Sequence, residues 1–259
     1  MASNKIILIT GPDQRHRYYI NHLNHNFHIA GIIIEESKYP ADSNHNPEEQ
    51  LAWDWYFDRR KKYEAKTFCG SEKLSRKNDP FKTTVPYSSL NTINTIKIIN
   101  SIDPDLIAIF GSSIIKDELI EQYPRCIFNL HIGLSNEYRG SSCNFWPIYD
   151  HRVDLLGATI IRINAGIDSG DILTQNTIDL KLNDDEQTLA GKTIKLGVDL
   201  MIETIRKWQT NSISPRLPSG KGKLFLKKHF DQKAVLEVKQ MVESGELTKL
   251  IEIELNNSQ

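Results

Sequence analysis

An α/β fold, a mostly parallel sheet with helices on both faces, is the architecture that this 259-residue sequence predicts. Three observations carry it. Apolar, β-branched runs at 5–10 ("KIILIT"), 28–37 ("HIAGIIIEES") and 105–115 ("DLIAIFGSSII") read as buried strands. The weakly amphipathic stretch between the first two, 15–27, completes strand, helix and strand within about 30 residues, the size of a parallel, right-handed βαβ unit. A long helical pattern over 185–209 places Leu189, Ile194, Val198, Met201 and Ile205 on one face and supplies a cover for a sheet.

The remaining elements follow in order. Residues 38–50 are polar and turn-rich, and 48–68 spaces Leu51, Trp55, Tyr56, Tyr63 and Phe68 among charges as a long, half-buried helix. Residues 71–86 read as a loop and 92–100 as a helix. The strand at 105–115 runs into Gly111-Ser112-Ser113, and a short helix at 117–124 stops at Pro124. Another strand covers 126–131, a Gly-rich loop 133–142, a helix start "CNFWPIYD" 143–150, and a strand 157–165. Residues 166–173 form a turn with two glycines and two aspartates. Pro215 and Pro218 break the chain, 219–230 resembles a hairpin about Gly-Lys-Gly or a lone strand, and the last residues are helical. The expected division is a catalytic domain over 1–210 and a small C-terminal hairpin and helical tail over 211–259.

Composition narrows the class of function. Thirty-two basic and 33 acidic residues leave a net charge of -1, so global charge makes no case for nucleic acid or an anionic membrane. No apolar run nears the ~20 residues of a membrane span, and "MASNKIILIT" lacks a secretory leader's pattern, so a cytoplasmic protein is expected. Cys69, Cys126 and Cys143 form no CxxC pair, which argues for reduced thiols and against a disulfide framework or structural zinc.

In an open parallel sheet, ligands bind beyond the carboxyl ends of strands. Three segments qualify: 11–17, 111–114 and 129–131. In "CIFNLHIG", Asn129 and His131 stand two apart and so share one face of a strand end. A satisfied polar pair is the plain reading; each side chain buried without a partner would cost about 1–3 kcal/mol. Asp168, in the turn "GIDSGDIL", is either a simple turn former or the third member of a site. An amide, an imidazole and a carboxylate together suit acyl-group chemistry without a protein nucleophile: carboxylate orients imidazole, imidazole moves a proton, amide stabilises an oxyanion. A serine hydrolase lacks its G-x-S-x-G elbow here, and no H-E-x-x-H suggests a metal hydrolase.

The ordered set "FNLHIG", "YRG" and "GIDSGDIL" resembles the core of the formyltransferases that use N10-formyltetrahydrofolate, closely over 105–175 and loosely over the rest of their Rossmann-like domain. The resemblance implies Asn129, His131 and Asp168 as the catalytic trio, with no metal. It implies folate contacts by Ser112, Ser113 and Ile114 on one side and by Gly166, Ile167 and Asp171 on the other. Tyr138, Arg139 and Gly140 fall in the family's loop beside the active site, where substrate contacts are expected.

Within that family, "GPDQRHRYY" departs from the Gly-Ser/Thr-Asn phosphate loop of the glycinamide ribonucleotide enzymes. Only about 45 residues follow Pro215, where the methionyl-tRNA enzymes carry a further domain of ~100 residues. The pattern resembles the nucleotide-sugar N-formyltransferases, which implies a nucleotide-linked amino sugar, such as a dTDP-4-amino-4,6-dideoxyhexose for surface polysaccharide, and a homodimer. Activity on glycinamide ribonucleotide or methionyl-tRNA, and a folate- or nucleotide-binding relative without transfer, are the alternatives. Arg15 and His16 are either contacts to the substrate diphosphate or a solvated basic turn. Trp146, with Phe145 and Tyr149, either stacks on substrate or packs a helix.

Overall fold

A computed structural model of the chain describes residues 4–37 and 46–257. Part of the polar, turn-rich segment expected at 38–50, residues 38–45, lies outside the described residues. Strands β1 (Ile6–Thr10) and β2 (Ile29–Glu35) flank helix α1 (Gln14–Asn26), and α2 (Pro47–Thr67) follows. Next come β3 (Phe81–Val85), α3 (Ile93–Ile102), β4 (Leu106–Phe110), α4 (Asp117–Gln122), β5 (Ile127–His131) and β6 (Tyr138–Gly140). The chain continues through α5 (Trp146–Tyr149), β7 (Gly157–Arg162), β8 (Ile172–Thr177), α6 (Glu186–Gln209), β9 (Lys223–Phe225), α7 (Gln232–Glu243) and α8 (Glu246–Asn257).

Among the described residues, seven strands form the main sheet in the order β3-β2-β1-β4-β5-β7-β8. The first five are parallel, and β7 runs antiparallel to both β5 and β8. The parallel centre is apolar on both sides: β1 and β4 are fully buried along their length, as strands covered by helices on both faces must be. One apolar layer sets Leu8, Ala108, Phe128 and Leu130 against Ile194, Val198 and Met201 of α6; the opposite layer sets Ile7, Ile109 and Ile127 against Ile96 and Ile99 of α3.

α6 is fixed where it matters. Asp185 caps its first turn, accepting from Thr188 N–H at 2.8 Å, and Arg59 of α2 binds Asp185 at 2.7 Å and Glu186 at 2.5 Å. The helix meets β5 at Gly197, where a Cβ would come within 2.7 Å of Leu130 Cδ2. Leu130 thus anchors β5 from the back while its neighbours Asn129 and His131 project from the other face.

Two elements differ from the sequence reading. Residues 81–85, expected within a loop, form the edge strand β3; its mostly exposed "FKTTV", bracketed by Pro80 and Pro86, lacks the apolar run of a central strand. β8 begins inside the expected turn and forms the opposite edge, with its last residues exposed. Of the two expectations for 219–230, a hairpin or a lone strand, the described residues show the lone strand: Lys223–Phe225 pairs in parallel with Tyr138–Gly140. The Gly-Lys-Gly stretch is packed, because a Cβ at Gly222 would meet Glu137 backbone at 2.7 Å. A further apolar cluster joins Ala52 and Tyr56 of α2 with Phe145, Trp146, Val235, Val238 and Ile251, so α7 and α8 pack onto α2 and α5.

Leu130 is 2 % exposed. Leu130→Ala removes the contact that seats β5 on α6 and is expected to cost about 2–5 kcal/mol. Thermal or denaturant unfolding checks this; a stability equal to that of the parent would show that α6 does not hold the strand.

Candidate active site

β5 presents Ile127, Asn129 and His131 on one face. Its antiparallel neighbour β7 brings Ile163 beside Ile127, where Ile163 N–H donates to Ile127 O at 3.0 Å. The chain then makes a closed loop: Arg162 N–H donates to Asp171 O at 2.8 Å, so residues 163–170 leave and rejoin the sheet at one point. Asn164 braces this loop from inside, its Oδ1 accepting from Gly166 N–H at 3.0 Å and Ser169 Oγ at 3.1 Å. Asp168 sits in it with φ of 43°, a left-handed conformation that aspartate tolerates better than most residues.

The loop carries Asp168 over the face of β5 rather than past its end. Asn129 Nδ2 donates to Asp168 Oδ1 at 3.2 Å, and His131 Nδ1 lies 3.3 Å from Asp168 Oδ2. Gly140 N–H donates to the same Oδ2 at 2.9 Å. On the far side of the imidazole, Nε2 stands 2.8 Å from Tyr138 O. A carbonyl only accepts, so Nε2 carries a hydrogen and Nδ1 is the nitrogen that faces the carboxylate. The His131 and Asp168 side chains are 5 % and 14 % exposed, so this contact is shielded while Asp168 keeps an open edge.

Short strand β6 therefore holds the site through its backbone: Tyr138 O fixes the ring and Gly140 N fixes the carboxylate. β9 braces β6 closely. Gly140 has φ of 91°, and a Cβ on it would fall 2.1 Å from Phe225 O. Ser141 N–H donates to Phe225 O at 2.7 Å, and the Phe225 ring stacks on Trp146 at 4.2 Å. Behind β5, Thr159 Oγ1 donates to Gly133 O at 2.7 Å and accepts from Ser135 N–H at 3.2 Å, which secures the turn leaving the strand.

The trio opens into a cavity of 760 Å³, within the range of small-molecule sites. Ser112, Ser113, Ile114, Gly166 and Ile167 line one part of it. Another part is walled by Arg15, Tyr56, Phe57, Arg60, Glu64 and Phe230.

Several residues singled out in the sequence take other places. Tyr138, Arg139, Trp146 and Asp171 are not among the described residues lining the cavity. Trp146 is 3 % exposed, stacked on Phe225, and donates through Nε1 to Ser141 O at 2.8 Å; it packs the β6–β9 pair. Tyr138 OH bonds Asp150 Oδ2 at 3.1 Å and Arg139 Nε bonds Gly222 O at 3.0 Å, so Tyr138 serves the site by its carbonyl. Asp171 pairs with Arg162 at 3.1 Å. His16 is buried beneath Gly11 and Gly111, accepts Asp13 N–H on Nδ1 at 3.1 Å, and meets the edge of the Phe110 ring. Burial, reinforced by Arg15 and Arg60, pushes its pKa well below the ordinary value. With Nδ1 accepting, Nε2 carries the hydrogen and is the donor left to the ring, and His16, like Arg15, lines the cavity. Arg15 does face the cavity, but its guanidinium binds Asp13 and, at 2.6 Å, Glu64, so the basic turn is neutralised within the fold.

Cys143 lies behind Gly133 and His131; burial and then Asp168 push its thiol well above the usual range, the opposite of a reactive thiolate. The sequence reading missed Asn164 and Glu35. The Asx signature "NAGI" marks the first, and a charged residue closing the apolar run "GIIIE" marks the second.

Two expectations follow. Gly140→Ala places a methyl against Phe225 O and should displace the N–H from Asp168; a strained left-handed alanine costs about 1–2 kcal/mol before the clash is counted. Its thermal stability should fall, and an unchanged melting point would contradict the tight β6–β9 pairing. His16, lowered in the fold, stays neutral as the unfolded chain takes up a proton below pH about 6.5. Stability is complete above that value and is lost as pH falls through it, by up to about 1.4 kcal/mol per pH unit. Denaturant melts at pH 7.5 and 5.5 should therefore show a smaller pH difference in His16→Asn than in the parent; equal differences would rule His16 out as the source.

Residues 63–205 match the family model described as formyl transferase. Over 128 residues the chain is 32 % identical to a methionyl-tRNA formyltransferase of Thermodesulfovibrio yellowstonii, covering 49 % of this chain and 41 % of the relative. The chain thus spans less than half the length of that curated relative. Among solved structures, a sugar N-formyltransferase from Shewanella sp FDAARGOS_354 superposes with a TM-score of 0.58 at 16 % identity, covering 87 % of this chain and 78 % of that one. A phosphoribosylglycinamide formyltransferase from Anaplasma phagocytophilum gives 0.60 at 13 % identity, covering 87 % and 98 %. An N-formyltransferase from Helicobacter canadensis, in complex with folinic acid and dTDP-3-aminofucose, gives 0.55 at 15 %, covering 89 % and 78 %. At these identities the structural likeness establishes the fold.

Proposed function

The chain belongs to the formyl transferase family, and we propose that it moves a formyl group from N10-formyltetrahydrofolate to the amine of a nucleotide-linked amino sugar. The observation that carries the reading is the convergence of Asn129, His131 and Asp168 at the floor of one cavity. The folate supplies an activated formyl carbon. The 760 Å³ space, with Ser112–Ile114 on one side and Gly166–Ile167 on the other, suits a flat ring carried on a long tail.

The residues divide the work as follows. Asn129 has a second amide hydrogen beyond the one given to Asp168, and that hydrogen serves the charge developing on the formyl oxygen. Asp168, held by the Asn129 amide and the Gly140 N–H yet open on one edge, receives the proton of the attacking amine directly or through a water. His131 exchanges that proton with Asp168 through Nδ1, while Tyr138 O prevents the ring from turning. As the tetrahedral intermediate collapses, the bond between the formyl carbon and N10 breaks and N10 takes up the proton. Tetrahydrofolate leaves as the amine, while the acceptor keeps the formyl group as an amide. Binding both substrates in one shielded cavity supplies proximity. No step requires a metal.

The sugar nucleotide reading rests on the further lining of the cavity by Arg15, Arg60 and the rings of Tyr56, Phe57 and Phe230. It is supported by the complex of the Helicobacter canadensis enzyme, whose ligands are a folate and a dTDP-amino sugar. By this reading dTDP-4-amino-4,6-dideoxyglucose is the acceptor, formylated in the cytoplasm by a homodimer for surface polysaccharide synthesis. Residues 1–210 carry the chemistry and 211–259 brace the site through β9. Methionyl-tRNA is the second reading, favoured by the sequence similarity to its formyltransferases.

A panel assay separates them. The protein is given N10-formyltetrahydrofolate with dTDP- and UDP-linked amino sugars, glycinamide ribonucleotide or methionyl-tRNA, and products are identified by mass spectrometry. Formylation of a sugar nucleotide is expected; formylation of methionyl-tRNA alone would replace the acceptor, and no product with any amine would overturn the reading. His131→Ala and Asp168→Ala should lower kcat/KM about 10²–10⁴-fold, and Asn129→Ala about 10²–10³-fold, with folding retained.

A further inference from the structure

Residues 111–116, which follow β4 and line the cavity, belong to no helix or strand. Two side chains from other segments hold their backbone. Glu35, the last residue of β2, reaches past the end of β1 and grips Ser113 with both carboxylate oxygens. Oε2 accepts Ser113 N–H at 2.6 Å and Oε1 accepts Ser113 Oγ–H at 2.7 Å. Asn91 grips the same loop further on, its Nδ2 donating to Ile114 O at 2.8 Å and its Oδ1 accepting Lys116 N–H at 2.7 Å. The four bonds span residues 113–116, where ladder hydrogen bonds would otherwise set the conformation.

Glu35 is unusual for its place. It is 3 % exposed at the end of an apolar strand, and a buried carboxylate persists only with strong donors. Its two short bonds to Ser113 are charge-assisted. They turn the Ser113 donors toward the sheet and leave the remaining edge of the loop for the cavity. Glu35 itself does not line the cavity.

We propose that Glu35, together with Asn91, pre-forms the 111–116 loop and so sets the affinity for the folate co-substrate, a positioning role that rests on the formyl-transfer reading. A loop formed in advance binds without first being ordered, so loosening it weakens binding and leaves the chemical step alone.

The substitutions separate reach from charge. In Glu35→Gln the amide accepts from Ser113 N–H and donates to Ser113 Oγ, so both bonds are kept. In Glu35→Asp the charge is kept but the arm is one methylene too short. Titration of 5-formyltetrahydrofolate, followed by calorimetry, should show Kd raised about tenfold or more in Glu35→Ala and Glu35→Asp, and within about threefold of the parent in Glu35→Gln. The KM for N10-formyltetrahydrofolate should rise in parallel, with kcat at saturation and the acceptor KM little changed. Hydrogen exchange should quicken at the amides of 112–116 in the Ala and Asp variants, and Asn91→Ala should show the same signature if Glu35→Ala does not fold.

Unchanged Kd in the Ala and Asp variants would overturn the proposal, as would Glu35→Gln binding as poorly as Glu35→Ala. A parent protein that binds no folate would instead defeat the formyl-transfer reading and with it the affinity claim. The exchange measurement would then still decide whether Glu35 orders the loop, and unaltered exchange at 112–116 would end that claim too.

Discussion

One carboxylate, that of Asp168, is the junction on which the site depends. It meets the amide of Asn129, the imidazole of His131 and the backbone N–H of Gly140, all within 3.3 Å. These groups come from β5 and β6, and the carboxylate that gathers them is carried by the loop after β7, beside the bonds β5 already makes to β7 and to Tyr138 O. A carboxylate at 14 % exposure needs donors to remain in place, and the Asn129 amide and Gly140 N–H that it receives come from the elements it ties together. Structural and chemical roles therefore coincide: the bonds that hold Asp168 also set the imidazole and the amide at working distance.

The surrounding fold is arranged to keep that junction rigid. β7 runs against the parallel strands, so its following loop starts beside Ile127 and returns over the face of β5. α6 presses Gly197 onto Leu130 and fixes β5 from behind. β9, from far along the chain, pairs with β6 and holds Gly140 in its left-handed conformation. The C-terminal segment is thus part of the cavity wall, since Phe225, Leu226, Lys227 and Phe230 line it. Lys227 also bonds Tyr87 OH at 2.9 Å, which links that wall to the segment after β3.

Legibility in the sequence followed the range of the signal. The parallel core was readable because buried strands are continuous apolar runs, and Asn129 and His131 stood out because strand alternation puts them together. Asp168 was readable from its glycine-flanked turn and from the family resemblance, though not the face from which it approaches. The β6–β9 pair was hidden, because two three-residue strands more than 80 residues apart leave no periodic trace, and Gly-Lys-Gly imitates a hairpin turn. Edge strands β3 and β8 were missed since their exposed residues need not be apolar. Residue type shows that Trp146, Arg15 and His16 can bind a ligand, but only packing shows which way they point: Trp146 stacks on Phe225 away from the cavity, while Arg15 and His16 line it.

The claim that Asp168 and His131 act as one unit is tested most directly by a double-mutant cycle on the formyl-transfer rate. His131→Ala, Asp168→Ala and the double variant are compared with the parent under saturating folate and acceptor. The predicted result is a double variant about as slow as the slower single one, because removing either partner already disables the shared proton path. A double variant slowed by the product of the two single effects would show that the residues act independently, and would contradict the account.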